Sequence, residues 1–190
     1  MKSKKLHDSY IPWVSKYAPT NLKDFLAVGE LKETINAFLK RPELLRRHLL
    51  FYGTPGTGKT SLAELMCKTF GKSSLRINGS DWSNFRTKTS AIKEYEKMRS
   101  AFVSLFSDKG KLKQYKIIWI EAFDTVRGDI QKNLADQEFD EITSAQRLGV
   151  DSDIAKIRFI LTLNDLDKVI EPIKSRCISY DFNNRDDDLN

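Results

Sequence analysis

Eight residues carry the strongest chemical signal in the chain: Gly53-Thr54-Pro55-Gly56-Thr57-Gly58-Lys59-Thr60, the pattern G-x-x-x-x-G-K-[ST]. Glycines let a backbone curl until successive N–H groups converge on one phosphate oxygen. A lysine after the last glycine reaches the β and γ phosphates, and the next hydroxyl is a ligand suited to Mg²⁺. Such a loop works only between a strand and a helix whose N-terminal dipole faces the anion. Both are in place: an apolar run precedes Gly53 and an amphipathic run follows Lys59, where an ordinary glycine-rich turn would need neither. Hydrolysis at such a site also asks for a carboxylate on the metal side and a group that orients water, at the end of a neighbouring strand. Glu121 directly follows the apolar run Lys116–Ile120 and is placed to hold a Mg²⁺ hydration shell. The next residue, Ala122, has no base to offer, and Asp124 lies three residues beyond Glu121. The alternative for both acids is a charge pair at a helix N-terminus. Asn164, closing the run from Phe159, either touches a γ-phosphate or water or simply forms a turn before Asp165. Arg176, in Ser175-Arg176-Cys177, either meets a nucleotide on a neighbouring subunit or pairs with a surface carboxylate. The residue alone favours the surface pair.

The elements that must position these groups are readable from apolar patterning. His48–Tyr52, Ser74–Asn78, Lys116–Ile120, Ile157–Leu163 and Cys177–Phe182 are short runs rich in branched and aromatic residues, as strands covered on both faces are. Between them, Glu30–Lys40 places Leu31, Ile35, Phe38 and Leu39 on one side of a helix. Thr60–Phe70 gathers Leu62, Leu65, Met66 and Phe70, and Thr87–Phe106 lines up Ala91, Ile92, Tyr95, Met98, Phe102 and Phe106. Strand–helix alternation predicts a parallel sheet with helices on both faces. Gly149–Ala155 reads as a loop.

Composition bounds the function classes. The 190 residues include 32 Lys plus Arg and 26 Asp plus Glu, a net charge of +6, with 40% apolar and 31% charged residues. That suffices for one ordinary core and excludes global disorder. The charge permits a polyanionic partner but equally serves solubility. It is unevenly spread: Glu121 to Asp153 holds nine acidic and three basic residues, a balance of −6, which leaves +12 on the rest of a +6 chain. No apolar stretch approaches the ~20 residues of a membrane span, and no apolar segment follows the basic start Met1–Lys5 as a signal peptide would require. Cys67 and Cys177 are too few and too far apart for a disulfide framework or a metal site, which implies a reducing intracellular compartment. Both read as small buried residues.

Together these pieces resemble the ATPase domain of the AAA+ class, and most closely the small subunits of sliding-clamp loaders (replication factor C and its phage counterparts). Six segments carry the likeness. Trp13-Val14-Ser15-Lys16-Tyr17-Ala18-Pro19 is similar to that family's W-x-x-K-Y-R-P box. Leu49–Gly53 leads into the phosphate loop. Ile77-Asn78-Gly79-Ser80-Asp81 resembles its N-[AG]-S-D segment. Lys116–Asp124 stands in the Walker B place, and Phe159–Asn164 resembles the sensor-1 strand. Val169-Ile170-Glu171-Pro172-Ile173-Lys174-Ser175-Arg176-Cys177 is similar to I-x-P-[IL]-x-S-R-C.

The resemblance implies an α/β P-loop NTPase domain of three layers with a five-stranded parallel sheet. It implies a segment 1–28 on the adenine side, an ATPase core over 29–182, and a polar linker 183–190 that leads to a lid domain the sequence does not include. Its expected cofactors are ATP and Mg²⁺. Tyr17, Ala18, Pro19 and Val28 would surround adenine. Gly53, Thr54, Pro55, Gly56, Thr57, Gly58, Lys59, Thr60 and Ser61 would wrap the phosphates, with Thr60 and Glu121 at the metal. Lys59, Glu121, Asn164 as sensor 1 and Arg176 as a trans-acting arginine finger would form the catalytic set. Because the stretch after Walker B is acidic, Arg86, Lys88, Lys93 and Lys97 on the preceding helix are the better candidates to meet DNA phosphates, the alternative being a solvated basic helix face. Implied partners are other clamp-loader subunits in a pentamer, a sliding clamp and primer–template DNA, with no membrane. Three positions depart from the pattern. Walker B, hydrophobic-D-E-x-D in the family, is Glu121-Ala122-Phe123-Asp124, which implies slow or absent hydrolysis. The box arginine is Ala18, and the stretch after Walker B is acidic where the family's is basic.

Overall fold

The computed structural model describes residues 30–41, 47–70, 74–83, 88–108, 111–112, 115–149 and 156–183. The five apolar runs become strands: β1 His48–Tyr52, β2 Ser74–Asn78, β5 Lys116–Glu121, β6 Ile157–Thr162 and β7 Cys177–Asp181. They pair in the order β2-β5-β6-β1-β7, with every neighbour parallel. The helices are α1 Glu30–Lys40, α2 Lys59–Phe70, α3 Gly79–Ser83, α4 Lys88–Phe106, α5 Gly128–Asn133, α6 Asp140–Arg147 and α7 Glu171–Arg176, with π-helical Leu134–Phe139 joining α5 to α6. A two-residue antiparallel ladder, β3 Ser107–Asp108 with β4 Lys111–Leu112, follows α4. The expected α/β three-layer architecture with a five-stranded parallel sheet is therefore the one observed.

Alternation along the strands sorts side chains to two cores, since successive residues point to opposite faces. Leu49, Phe51, Ile117, Trp119 and Ile160 face one way, against Ile35 and Phe38 of α1 and Leu62, Ala63, Leu65 and Met66 of α2. Leu50, Ile118, Ile120, Phe159 and Leu161 face the other, against Ala91 and Tyr95 of α4 and the run Ile130, Leu134, Ala135, Phe139 and Ile142. β5 and β6 are buried along almost their whole length, as central parallel strands are. His48 is buried with its ring against Phe139, centroids 4.1 Å apart, and edge-on to Phe159. Its Nδ1 accepts the Phe159 N–H at 3.2 Å, which joins the start of β1 to β6 and to the π-helix above.

Two loops at the C-terminal edge are tied together by one buried side chain. Gln131 of α5 donates from Nε2 to the carbonyls of Val126 (2.8 Å) and Lys168 (3.0 Å), and its Oε1 accepts from the Ile170 N–H (3.0 Å). The turn after β5 and the loop after β6 are thus held at a fixed spacing. Close approach also decides Gly79, at the start of α3. A Cβ there would lie 2.8 Å from the Ala122 carbonyl oxygen and 2.9 Å from that of Glu121, so only glycine lets β2 and β5 end side by side. Cys67 is half-buried and Cys177 buried. Burial pushes the first thiol up to about 11 and the second up to about 12, so both are protonated at neutral pH. The segment 1–28, the loop residues 150–155 and most of the tail 183–190 lie outside the described residues.

Candidate functional site

Parallel strands deliver their C-terminal ends to one edge of the sheet, the edge where α/β folds bind ligands. β1 ends there at Gly53, β5 at Glu121 and β6 just before Asn164. Between β1 and α2 the chain makes the expected turn. Gly56 and Gly58 sit at φ 84° and 96°, conformations that residues with a Cβ rarely adopt. α2 then begins at Lys59, so its free N–H groups face the loop.

Lys59 is buried, and its ammonium lies inside the curl of the loop. Nζ donates to the carbonyls of Gly53 and Thr54, each at 2.7 Å, and to the Thr57 hydroxyl at 3.4 Å. Burial lowers its pKa, and the charge of Asp124 opposes that shift. The loop is also held from outside: the Thr54 N–H donates to Asn183 Oδ1 at 2.7 Å. Asn183, which the sequence places in the polar tail, thus reaches the phosphate loop from just beyond β7.

Across the loop, the Thr60 hydroxyl stands 3.5 Å from Glu121 Oε1. Thr60, at the head of α2, and Glu121, at the end of β5, are thereby brought together. A hydroxyl beside a carboxylate is an all-oxygen set that suits Mg²⁺. Those two residues fit the ion on the Oε1 side, while Oε2 is engaged elsewhere: Arg76 of β2 donates to it through both Nε and Nη2. Ala122 takes the left-handed conformation, φ 51° and ψ 45°, and turns the chain into the 3₁₀ segment Phe123–Thr125. Asp124, within that segment, accepts the Asn164 N–H on Oδ2 at 3.4 Å. Its Oδ1 is buried and accepts nothing among the described residues. Asn164 itself is exposed at this edge.

Arg176 lies elsewhere on the surface, at the end of α7. Its Nε and Nη2 donate to Asp140 of α6 at 2.6 and 2.9 Å, and Nη1 donates to the Pro172 carbonyl at 2.8 Å. The Asp140 hydrogen bond raises its pKa. The cleft around the pair measures about 540 Å³ and is lined by Asp140, Thr143, Ser144, Arg147, Ser175 and Arg176. In the single chain the residue makes the carboxylate pair that its own chemistry predicts.

Of the other expected residues, Ser61 is half-buried in the first turn of α2, and Lys93 and Lys97 are exposed along α4. Only the backbone of Lys88 is described. Tyr17, Ala18, Pro19, Val28 and Arg86 lie outside the described residues. Arg76 and Asn183 escaped the sequence reading. Both reach the site through strand pairing, and the only linear signal was a charged or polar residue near a strand's end.

Residues 49–183 match the ATPase family associated with various cellular activities (AAA). A replication factor C small subunit of Methanoregula boonei is 29% identical over 182 residues, covering 93% of this chain and 49% of that protein. Replication factor C subunit 5 of Mus musculus is 30% identical, covering 90% and 46%. A putative replication factor C small subunit of Acanthamoeba polyphaga mimivirus is 29% identical, covering 96% and 48%. The chain thus spans about half the length of the curated relatives it matches. Among solved structures, the Thermotoga maritima RuvB Holliday junction branch migration motor superposes with a TM-score of 0.57 at 18% identity. That match covers 87% of this chain and 48% of the motor, a likeness of fold.

Proposed function

We propose that this chain, which belongs to the AAA family of ATPases, is an ATP-binding subunit of a DNA sliding-clamp loader and couples nucleotide binding to clamp opening on primer–template DNA. The observation that carries the reading is the phosphate loop itself. Gly53–Ser61 curls between β1 and α2 with Lys59 inside it, beside Glu121 and Asn164 at the same sheet edge. The likeness to replication factor C small subunits supports the choice of machine.

In this reading the loop's N–H groups and the start of α2 bind the β and γ phosphates. The Lys59 ammonium leaves the Gly53 and Thr54 carbonyls for phosphate oxygens that it meets with a full charge. Thr60 and Glu121 would hold Mg²⁺, which neutralises charge between those phosphates. Asn164, anchored through its N–H to Asp124, orients the terminal phosphate or a water molecule. Tyr17, Ala18, Pro19 and Val28 flank adenine. Arg176 leaves Asp140 to face a nucleotide on the next subunit of a pentamer inside the cell. Lys93 and Lys97, with Arg86 and Lys88, contact DNA phosphates without reading sequence.

One observation favours a second form of this reading. Ala122 places no base beside Glu121, as suits a subunit that holds ATP for assembly and lends Arg176 to an active neighbour.

The test is affinity for a fluorescent ATP analogue, followed by retention of a ring clamp by the chain with its companion subunits. Lys59→Ala is expected to weaken analogue binding at least about tenfold, the loss of one charge-assisted phosphate contact. ATP is expected to be required for clamp retention. Unchanged affinity in Lys59→Ala overturns the site. Intact ATP binding with no ATP-dependent clamp retention overturns the clamp-loader reading.

A further inference from the structure

Glu121 stands where a metal-side carboxylate belongs, but a guanidinium already holds it. Arg76 donates to Oε2 through Nε at 3.2 Å and through Nη2, while Oε1 faces the Thr60 hydroxyl at 3.5 Å. The seat of Arg76 is built by the sheet. In the parallel register Arg76 of β2 lies opposite Trp119 of β5. Trp119 and Glu121, two apart, point to the same face, so the arginine reaches the acid along the diagonal. Its guanidinium stands 4.4 Å above the Trp119 ring, a cation–π contact. Trp119 cannot shift to release it: the indole is 1% exposed, and its N–H donates to the Thr162 hydroxyl at 3.0 Å. The fork therefore has an aromatic floor beneath it and a carboxylate in front. A planar guanidinium satisfies both at once, and a lysine would not.

That arrangement opposes a divalent cation in two ways. It occupies the lone pairs of Oε2, and it neutralises the carboxylate charge that would otherwise draw the ion. We propose that Arg76 competes with Mg²⁺ for Glu121, so that the chain discriminates only weakly between metal-bound and metal-free nucleoside triphosphate. The proposal rests on Gly53–Ser61 being a triphosphate site and adds how that site treats the metal. The competition is reversible. The Arg76 side chain is 55% exposed and that of Glu121 25%, and pairs of that exposure contribute little more than a fivefold factor, about 1 kcal/mol.

The experiment titrates the full chain with a fluorescent ATP analogue, in EDTA and then across a graded series of free Mg²⁺. The readout is the ratio of the two dissociation constants. Arg76→Ala is expected to raise that ratio about fivefold and to lower the Mg²⁺ concentration at half-effect by a similar factor. Arg76→Lys keeps the charge and loses the fork, and is expected to fall between. Glu121→Gln removes the shared carboxylate, so adding Arg76→Ala to it is expected to change nothing further. A melting curve for each variant shows that the fold is kept. Wild-type Mg²⁺ dependence in Arg76→Ala overturns the proposal, and so does an Arg76 effect that persists in the Glu121→Gln background. If Lys59→Ala still loses analogue binding, the nucleotide site stands without this refinement. If Lys59→Ala binds normally, the nucleotide site and this inference fail together.

Discussion

Ala122 is the one residue with a side chain that takes positive φ among the described residues, and it does so directly after Glu121. The turn is over-determined. The Ala122 carbonyl accepts the Thr125 N–H at 3.0 Å and the Thr125 hydroxyl at 2.7 Å, and it packs against the bare Cα of Gly79. A left-handed alanine costs ~1–2 kcal/mol, part of which glycine returns as unfolded-state entropy. Ala122→Gly is therefore expected to raise the unfolding free energy by about 0.5–1 kcal/mol in urea titrations. Ala122→Glu adds no new backbone strain, because the Cβ is already there. It places a carboxylate between Glu121 and Asp124. Phosphate release from ATP is expected to rise at least about a hundredfold, the lower range of general-base contributions. No rise, with analogue affinity intact, means that this turn does not aim its side chain into the site.

At the scale of elements, what could be read from the sequence divides by whether its cause is local. The strands were legible because a sheet buried on both faces demands runs of apolar residues, as at 117–120 and 159–161. The phosphate loop was legible because its chemistry lies in eight consecutive residues. The helical run from Gly128 to Arg147 was not. Its core residues Ile130, Leu134, Ala135, Phe139 and Ile142 would spread over about half the circumference of a regular 3.6-residue helix, wider than one clean stripe. The structure gathers them through the π-helix Leu134–Phe139, whose wider turn brings Phe139 to the same core. The Arg76–Glu121 pair was equally hidden, because it depends on cross-strand register. Gln131, inside the same run, shows what the element is for. Its three hydrogen bonds fasten the Glu121 turn to the loop that follows Asn164. Gln131→Ala would leave two carbonyls and one N–H without that partner in a buried setting. It is expected to cost about 2–4 kcal/mol in urea unfolding. Gln131→Glu is expected to recover little, since it keeps the acceptor for Ile170 but loses the donor to Val126 and Lys168. A cost below about 1 kcal/mol for Gln131→Ala would mean that the two loops hold their spacing unaided.

At the scale of the whole molecule, the sheet, the π-helix and the first strand meet at His48, and that junction makes stability depend on pH. The ring is 2% exposed between Phe139 and Phe159, and its Nδ1 must stay unprotonated to accept the Phe159 N–H. Burial, helped by the charge of Arg158, lowers its pKa from 6.5 to about 3. The folded state therefore refuses a proton that the unfolded chain takes up below about pH 6.5. Above that pH the contribution to stability is complete. It drains away as the pH falls toward 3, by about 2 kcal/mol at pH 5 and roughly 5 kcal/mol in all. His48→Asn keeps an oxygen acceptor for the Phe159 N–H and does not titrate. It loses ring contact and is expected to be about 1–3 kcal/mol less stable at pH 7, but its stability should fall less steeply between pH 7 and pH 5. Urea midpoints measured for both proteins across that interval decide the matter. Curves that converge as the pH falls place the acid sensitivity in this one imidazole. Parallel curves place it elsewhere, and the proton would then have to be entering the folded core without disturbing the bond between β1 and β6.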